Sequence, residues 1–183
     1  MARPRRALGG LVAVIALSAC SVPAQEPSTT TMTATATGGM TSAPVDTPTA
    51  VPLGQPVEVA MDGAVLRLTL ESVAVVTECP GRAAPVQQPV FGHFVVLHIA
   101  ASVTESYAPV GAELFRITAP DGRTQSVSST DASWACFEPA ELLPAFVDAG
   151  EPVSGVVVLD SATEHGTVSY NSPGGANGWF WSF

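Results

Sequence analysis

Asp160, Ser161 and His165 stand together in the short stretch "LDSATEHG". An acid, a hydroxyl and an imidazole are the parts of a hydrolase: the imidazole takes the hydroxyl proton and the acid orients the imidazole. The stretch has no G-x-S-x-G elbow to present the hydroxyl, and so short a turn rarely brings its own residues into triad geometry. His93 and His98 lie five residues apart in a β-branched run. That odd separation points them to opposite faces of a strand, so they cannot ligate one metal ion from it. Asp131, Glu138 and Glu141 lack the D-x-D-x-D-G order of a calcium loop. No carboxylate pair stands out for glycan hydrolysis, and no helix follows the glycines of "SPGGANG" to cradle a phosphate. The reading is therefore of a chain that is not an enzyme, with no catalytic residue, no cofactor and no metal.

The cysteines carry more. Arg3, Arg5 and Arg6 precede an apolar run from Ala7 to Ala19, broken only by Gly9, Gly10 and Ser18. This is the basic-then-apolar order of an export signal, shorter than the roughly 20 apolar residues that cross a bilayer. Leu17-Ser18-Ala19-Cys20 resembles the bacterial lipobox. The resemblance implies cleavage before Cys20, a diacylglyceryl group on its thiol and an extracytoplasmic, membrane-anchored protein, because two or more acyl chains hold stably where one does not. The alternative is a plain secretory signal with a chance cysteine. Export leads to an oxidising compartment, where Cys79 and Cys136 are expected to form a disulfide. So long a loop gives about 4 kcal/mol in the chain-entropy account. Two separate buried thiols are the alternative, and there is no C-x-x-C for redox catalysis.

Without residues 1–19, four arginines face sixteen acids, a formal charge of −12 against −9 for the whole chain, and lysine is absent. Nucleic acid binding and polybasic contact with anionic headgroups are disfavoured. Residues 20–52 form the lipidated N-terminus and a Ser/Thr/Pro-rich linker, whose only charged residues are Glu26 and Asp46. It lacks the apolar surface to offset ordering entropy and reads as a disordered stalk. Its threonines, Thr29 to Thr37, suit either an O-glycosylated stalk or a plain spacer.

Residues 53–183 read as one domain of strand after strand. "PVEVAM" is a first strand. "AVLRLTLESVAVV" alternates until its apolar parity shifts, which predicts a bulge near Glu71-Ser72. "HFVVLHIAASV" is apolar at both parities, the mark of a central strand covered on both sides. "ELFRITA", Asp121-Gly122 and "RTQSVS" predict a hairpin. "PVSGVVVLD", "TVSYN" and "WFWSF" follow as strands, the last with Trp179, Trp181 and Phe183 on one face. Helix is confined to a turn or two within "FEPAELLPAF" by Pro139 and Pro144. Short strands between Gly/Pro/Asp turns predict an all-β, antiparallel sandwich.

Over about residues 55–183, "GAVLRLTLESVAV", "GHFVVLHIAASV", "FRITAPDGRTQSV" and "LLPAFVDAGEPVSGVVVLDS" resemble the immunoglobulin-like secreted mycobacterial antigens and a related domain of unknown function on bacterial lipoproteins. Leu159 replaces an aromatic, and "VTES" an Asn-containing turn. The resemblance implies an immunoglobulin-like β-sandwich without known enzymatic activity and brings no functional residues. A true immunoglobulin domain is disfavoured: no Trp lies between Cys79 and Trp134, and Cys136 falls in a loop.

Recognition on a sandwich falls to loops and outer faces. The longest connection, about Ser129 to Glu151, holds Trp134 and Phe137 beside Cys136, the two candidate partner contacts. Trp134 is either a packed plug, the preferred reading, or an exposed anchor. The expected function is a lipid-anchored module that binds an unidentified envelope or extracellular protein, or supports the envelope. The alternatives are a carrier of a small apolar ligand between its sheets and, least favoured, a hydrolase of envelope material.

Overall fold

The computed structural model describes residues 48–61, 63–79, 86–173 and 178–183. They fall within the second of two compact units, 42–183. The lipobox with Cys20, the signal segment and the threonine cluster lie outside the described residues.

The strands are β1 (Thr49–Ala50), β2 (Pro56–Met61), β3 (Ala64–Val76), β4 (His93–Val103), β5 (Tyr107–Pro109), β6 (Phe115–Thr118), β7 (Phe146–Asp148), β8 (Val153–Ser161), β9 (Thr167–Tyr170) and β10 (Trp179–Ser182), with a one-turn helix α1 (Asp131–Trp134) after β6. One sheet has the order β2-β3-β4-β8, the other β1-β10-β9-β6, and β5 pairs with β7 apart from both. All these pairs are antiparallel except β1 with β10. The inner faces meet in one apolar core. Leu66, Leu68, Leu70, Leu97, Ile99 and Leu159 come from the first sheet, and Phe115, Ile117, Val168, Tyr170 and Trp181 from the second. The fold is an all-β sandwich.

The alternation of "LRLTL" decides β3, since leucines at every second position form one buried stripe. The register shift between Leu70 and Ser72 is the bulge that the parity change predicts. Asp121-Gly122 does turn the chain: Gly122 has φ +85°, a conformation favourable to glycine. The hairpin it begins is short. Thr118 bridges Thr124, but the strand partner of β6 is β9.

Two expectations are corrected. The helix is "DASW", not a turn within "FEPAELLPAF". Thr130 and Ser133 cap it reciprocally, while residues 139–141 form only a turn. Ordered structure also begins inside the stretch read as linker. Thr49 N–H donates to Gly178 O at 3.0 Å, and Val51 N–H to Phe180 O at 2.9 Å. Main-chain bonds of this kind need no side-chain pattern.

Candidate functional site

β4 and β8 are apolar on both faces because the outer face of their sheet is covered as well. There Phe94, Val96, Val156 and Val158 pack with Cys79 and Cys136 in a second cluster, with Val76, Ala132 and Phe137 half-buried against it. The covering chain comes from two places: the loop that leads into β4, and the connection from β6 to β7. A disulfide joins them, Cys79 to Cys136, with Cα atoms 5.2 Å apart and a separation of 57 positions in sequence. The β6–β7 connection also lies along the edge of β8. Leu143 N–H donates to Val156 O, and Val156 N–H to Glu141 O, both at 2.9 Å. Gly155 makes this approach possible, since a Cβ there would stand 2.6 Å from Leu143 N and 2.7 Å from its Cα.

The second fastening is Asp160. It follows Val156 and Val158 at the same parity and is fully buried. Its Oδ2 accepts the N–H of Val90 at 2.7 Å and the hydroxyl of Thr130 at 2.9 Å, and its Oδ1 accepts the N–H of Phe91 at 2.8 Å. Its main chain is held too. Its N–H donates to Ser128 O at 2.7 Å, and its carbonyl accepts from Gln125 Nε2 at 2.7 Å. A buried carboxylate left without donors is costly, and one with three gives its loops a defined place. Thr130 is the N-cap of α1, so a single carboxylate ties the entry loop of β4 to the start of the helix.

The two candidate contacts take different positions. Phe137 packs inward on the second cluster. Trp134 is 41 % exposed, with its indole N–H donating to Ser129 Oγ at 2.8 Å, so the plug reading does not hold. The buried residues beside it are Ser133 and Cys136. On the neighbouring turn, Arg123 donates its main-chain N–H to Asp121 at 3.1 Å and its guanidinium at 2.7 Å, and these bonds hold the Asp121 carboxyl below the usual range.

The residues that suggested hydrolysis are separated. The Asp160 carboxylate faces outward under the cover, occupied by the three donors above. Ser161, fully buried, donates its hydroxyl to Thr163 O at 2.8 Å and accepts the Thr163 N–H at 3.1 Å, while His165 is exposed. His93 and His98 take opposite faces, as their spacing requires: His98 is exposed, and His93 bonds Glu164 at 3.1 Å in an open hollow also lined by His165 and Phe183. Among the described residues, no three of His, Cys, Asp and Glu are placed to hold a metal ion.

Reasoning from sequence placed Asp160 among possible catalytic groups and missed its clamp. It also missed the segment around Val90 and Phe91. A signal was present: in "VVVLD" an acid ends an apolar β-branched run at the parity of a face that is itself covered, where a carboxylate needs donors.

No protein-family model and no curated protein matches the chain. Among solved structures, the chain is similar to the crystal structure of MPT63, a secreted protein from Mycobacterium tuberculosis. The TM-score is 0.52 and the identity 17 %, over 75 % of this chain and 98 % of that one. At this identity the likeness concerns the fold. It agrees with the all-β sandwich expected from the strand pattern.

Proposed function

We propose that the protein is an extracytoplasmic lipoprotein, anchored through Cys20, whose immunoglobulin-like domain is a non-catalytic module for binding a protein partner. Residues 1–19 are its signal peptide, the residues from Cys20 on its lipidated N-terminus and stalk, and the folded domain, read from sequence as 53–183, also takes in Thr49–Val51. Basic n-region, apolar h-region, box and stalk follow one another in the order such anchoring uses. A secreted protein with a similar fold is consistent with export.

One observation carries the binding reading: Trp134 is held 41 % exposed on a connection that a disulfide and a buried carboxylate fasten in place. A tryptophan fixed at the surface is suited to recognition, since little ordering remains to be done on contact. The carrier alternative has less support, because the inner faces of the sheets are filled by large side chains, Trp181 and Tyr170 among them.

Two experiments test the proposal. Cys20→Ala is expected to release the protein or leave it unprocessed; a processed, acylated membrane protein in the mutant contradicts the anchor. Trp134→Ala is expected to keep the wild-type circular dichroism and lose an envelope partner captured by crosslinking. Full capture by a folded mutant removes Trp134 from the contact.

A further inference from the structure

Nine large apolar side chains are exposed among the described residues, and five of them belong to the segments fastened at Asp160 and the disulfide: Val86, Val90, Phe91, Val127 and Trp134, each between 41 and 65 % exposed. Their positions are linked bond by bond. Val90 and Phe91 give their main-chain N–H groups to the Asp160 carboxylate. The Val127 carbonyl and the Asp160 carbonyl share the amide of Gln125. Trp134 turns back to Ser129, next to Thr130, which shares Oδ2 with Val90. Val86 precedes Gln87, which pairs with Cys79 of the disulfide. Single exposed apolar residues are ordinary; here five of the nine lie on main chain tied to the same two fastenings.

The charges decide what fits it. The charged residues nearest along these segments are three exposed acids, Glu78, Asp131 and Glu138, against one cation in the sequence of the entry loop, Arg82, so the balance is acidic. Arg123, the described cation nearest Val127 in sequence, is already bonded to Asp121. A second copy of the chain would bring acid against acid, and an anionic lipid surface would repel the same rim. We infer that this surface, which extends the binding reading from one loop to two, docks a protein whose contact has an apolar side chain ringed by arginine or lysine. The apolar centre gives affinity and the ring gives orientation and speed of encounter.

The test uses the full chain with Cys20→Ser, so that no lipid takes part, and a displayed library of random peptides. The same selection is run on the Val90→Asp and Val127→Asp variants, whose altered side chains face solvent and whose folds are checked by near-ultraviolet circular dichroism. Enriched peptides should combine aromatic or aliphatic residues with Arg or Lys, bind wild type at least about tenfold more tightly than either variant, and weaken by roughly tenfold as salt rises from low to high. Peptides that ignore both substitutions overturn this surface while leaving the general binding reading in place. Enrichment of acidic peptides, salt-independent binding, or no enrichment over the variants also overturns it. So does phosphatidylglycerol vesicle binding or concentration-dependent dimerisation that Val90→Asp abolishes, since the occupant would then be a membrane or a second copy.

Discussion

The two faces of the β2-β3-β4-β8 sheet are covered in different ways. The inner face meets a second sheet, and the contact is hydrocarbon: Leu66, Leu97 and Ile99 against Phe115, Val168 and Trp181. The outer face meets irregular chain, which has no ladder to satisfy its main chain. There the fastening is a disulfide and a carboxylate that accepts two N–H groups and a hydroxyl. Hydrocarbon packing is strong but indifferent to the exact place of any one loop. Polar fastening adds less to stability and specifies position. A sandwich needs only the first to fold; the second is what a surface needs in order to present side chains in a fixed arrangement.

The difference can be broken from either side. Trp181→Ala, in the inner core, is expected to cost about 3–5 kcal/mol and to lower the single unfolding transition of the whole domain, read by thermal or urea denaturation. Asp160→Ala leaves two main-chain N–H groups and the Thr130 hydroxyl without their acceptor. A loss of about 2–4 kcal/mol is expected, with Asp160→Asn milder because one oxygen can still accept. Gly155→Ala sets a methyl against the main chain of Leu143. Its expected cost is about 1–3 kcal/mol, felt first as faster amide exchange at Leu143 and Val156.

The smallest effect belongs to Tyr170, whose hydroxyl donates to Pro109 O at 2.7 Å. Burial pushes its phenol above the ordinary value. A folded-state value above the unfolded one means that the contribution is whole below about pH 10 and is lost as pH rises beyond it. Tyr170→Phe is expected to cost about 1 kcal/mol near neutrality and to flatten the alkaline limb of the stability profile. An unchanged alkaline limb would remove Tyr170 as its source.

The inner core was legible because hydrocarbon packing writes a period into sequence. Leu66, Leu68 and Leu70 announce β3, and the shift to Val73 and Val75 announces its bulge. The cover was legible only in part. Apolar residues at both parities of "HFVVLHIAASV" show that something lies on the outer face, and the odd membership of Cys20 leaves Cys79 and Cys136 to pair. What lies there was not legible, since Asp160, Thr130 and Val90 are joined across 30 and 70 positions and a hydrogen bond leaves no period. The same holds for α1. Its capping pair, Thr130 and Ser133, spans a single turn, and its place is decided by the distant carboxylate that Thr130 meets. β1, β5 and β7, two or three residues each, are too short for any alternation to appear.

The central claim is that the outer cover is fastened separately from the core beneath it. Hydrogen exchange of the folded protein, measured with the Cys79–Cys136 bond intact and after its reduction, tests this most directly. The amides of Val90, Phe91 and Ser133 are expected to lose protection on reduction, while those of Leu68, Leu97 and Ile99 keep theirs. Loss of protection at all six together, or at none, would contradict the account.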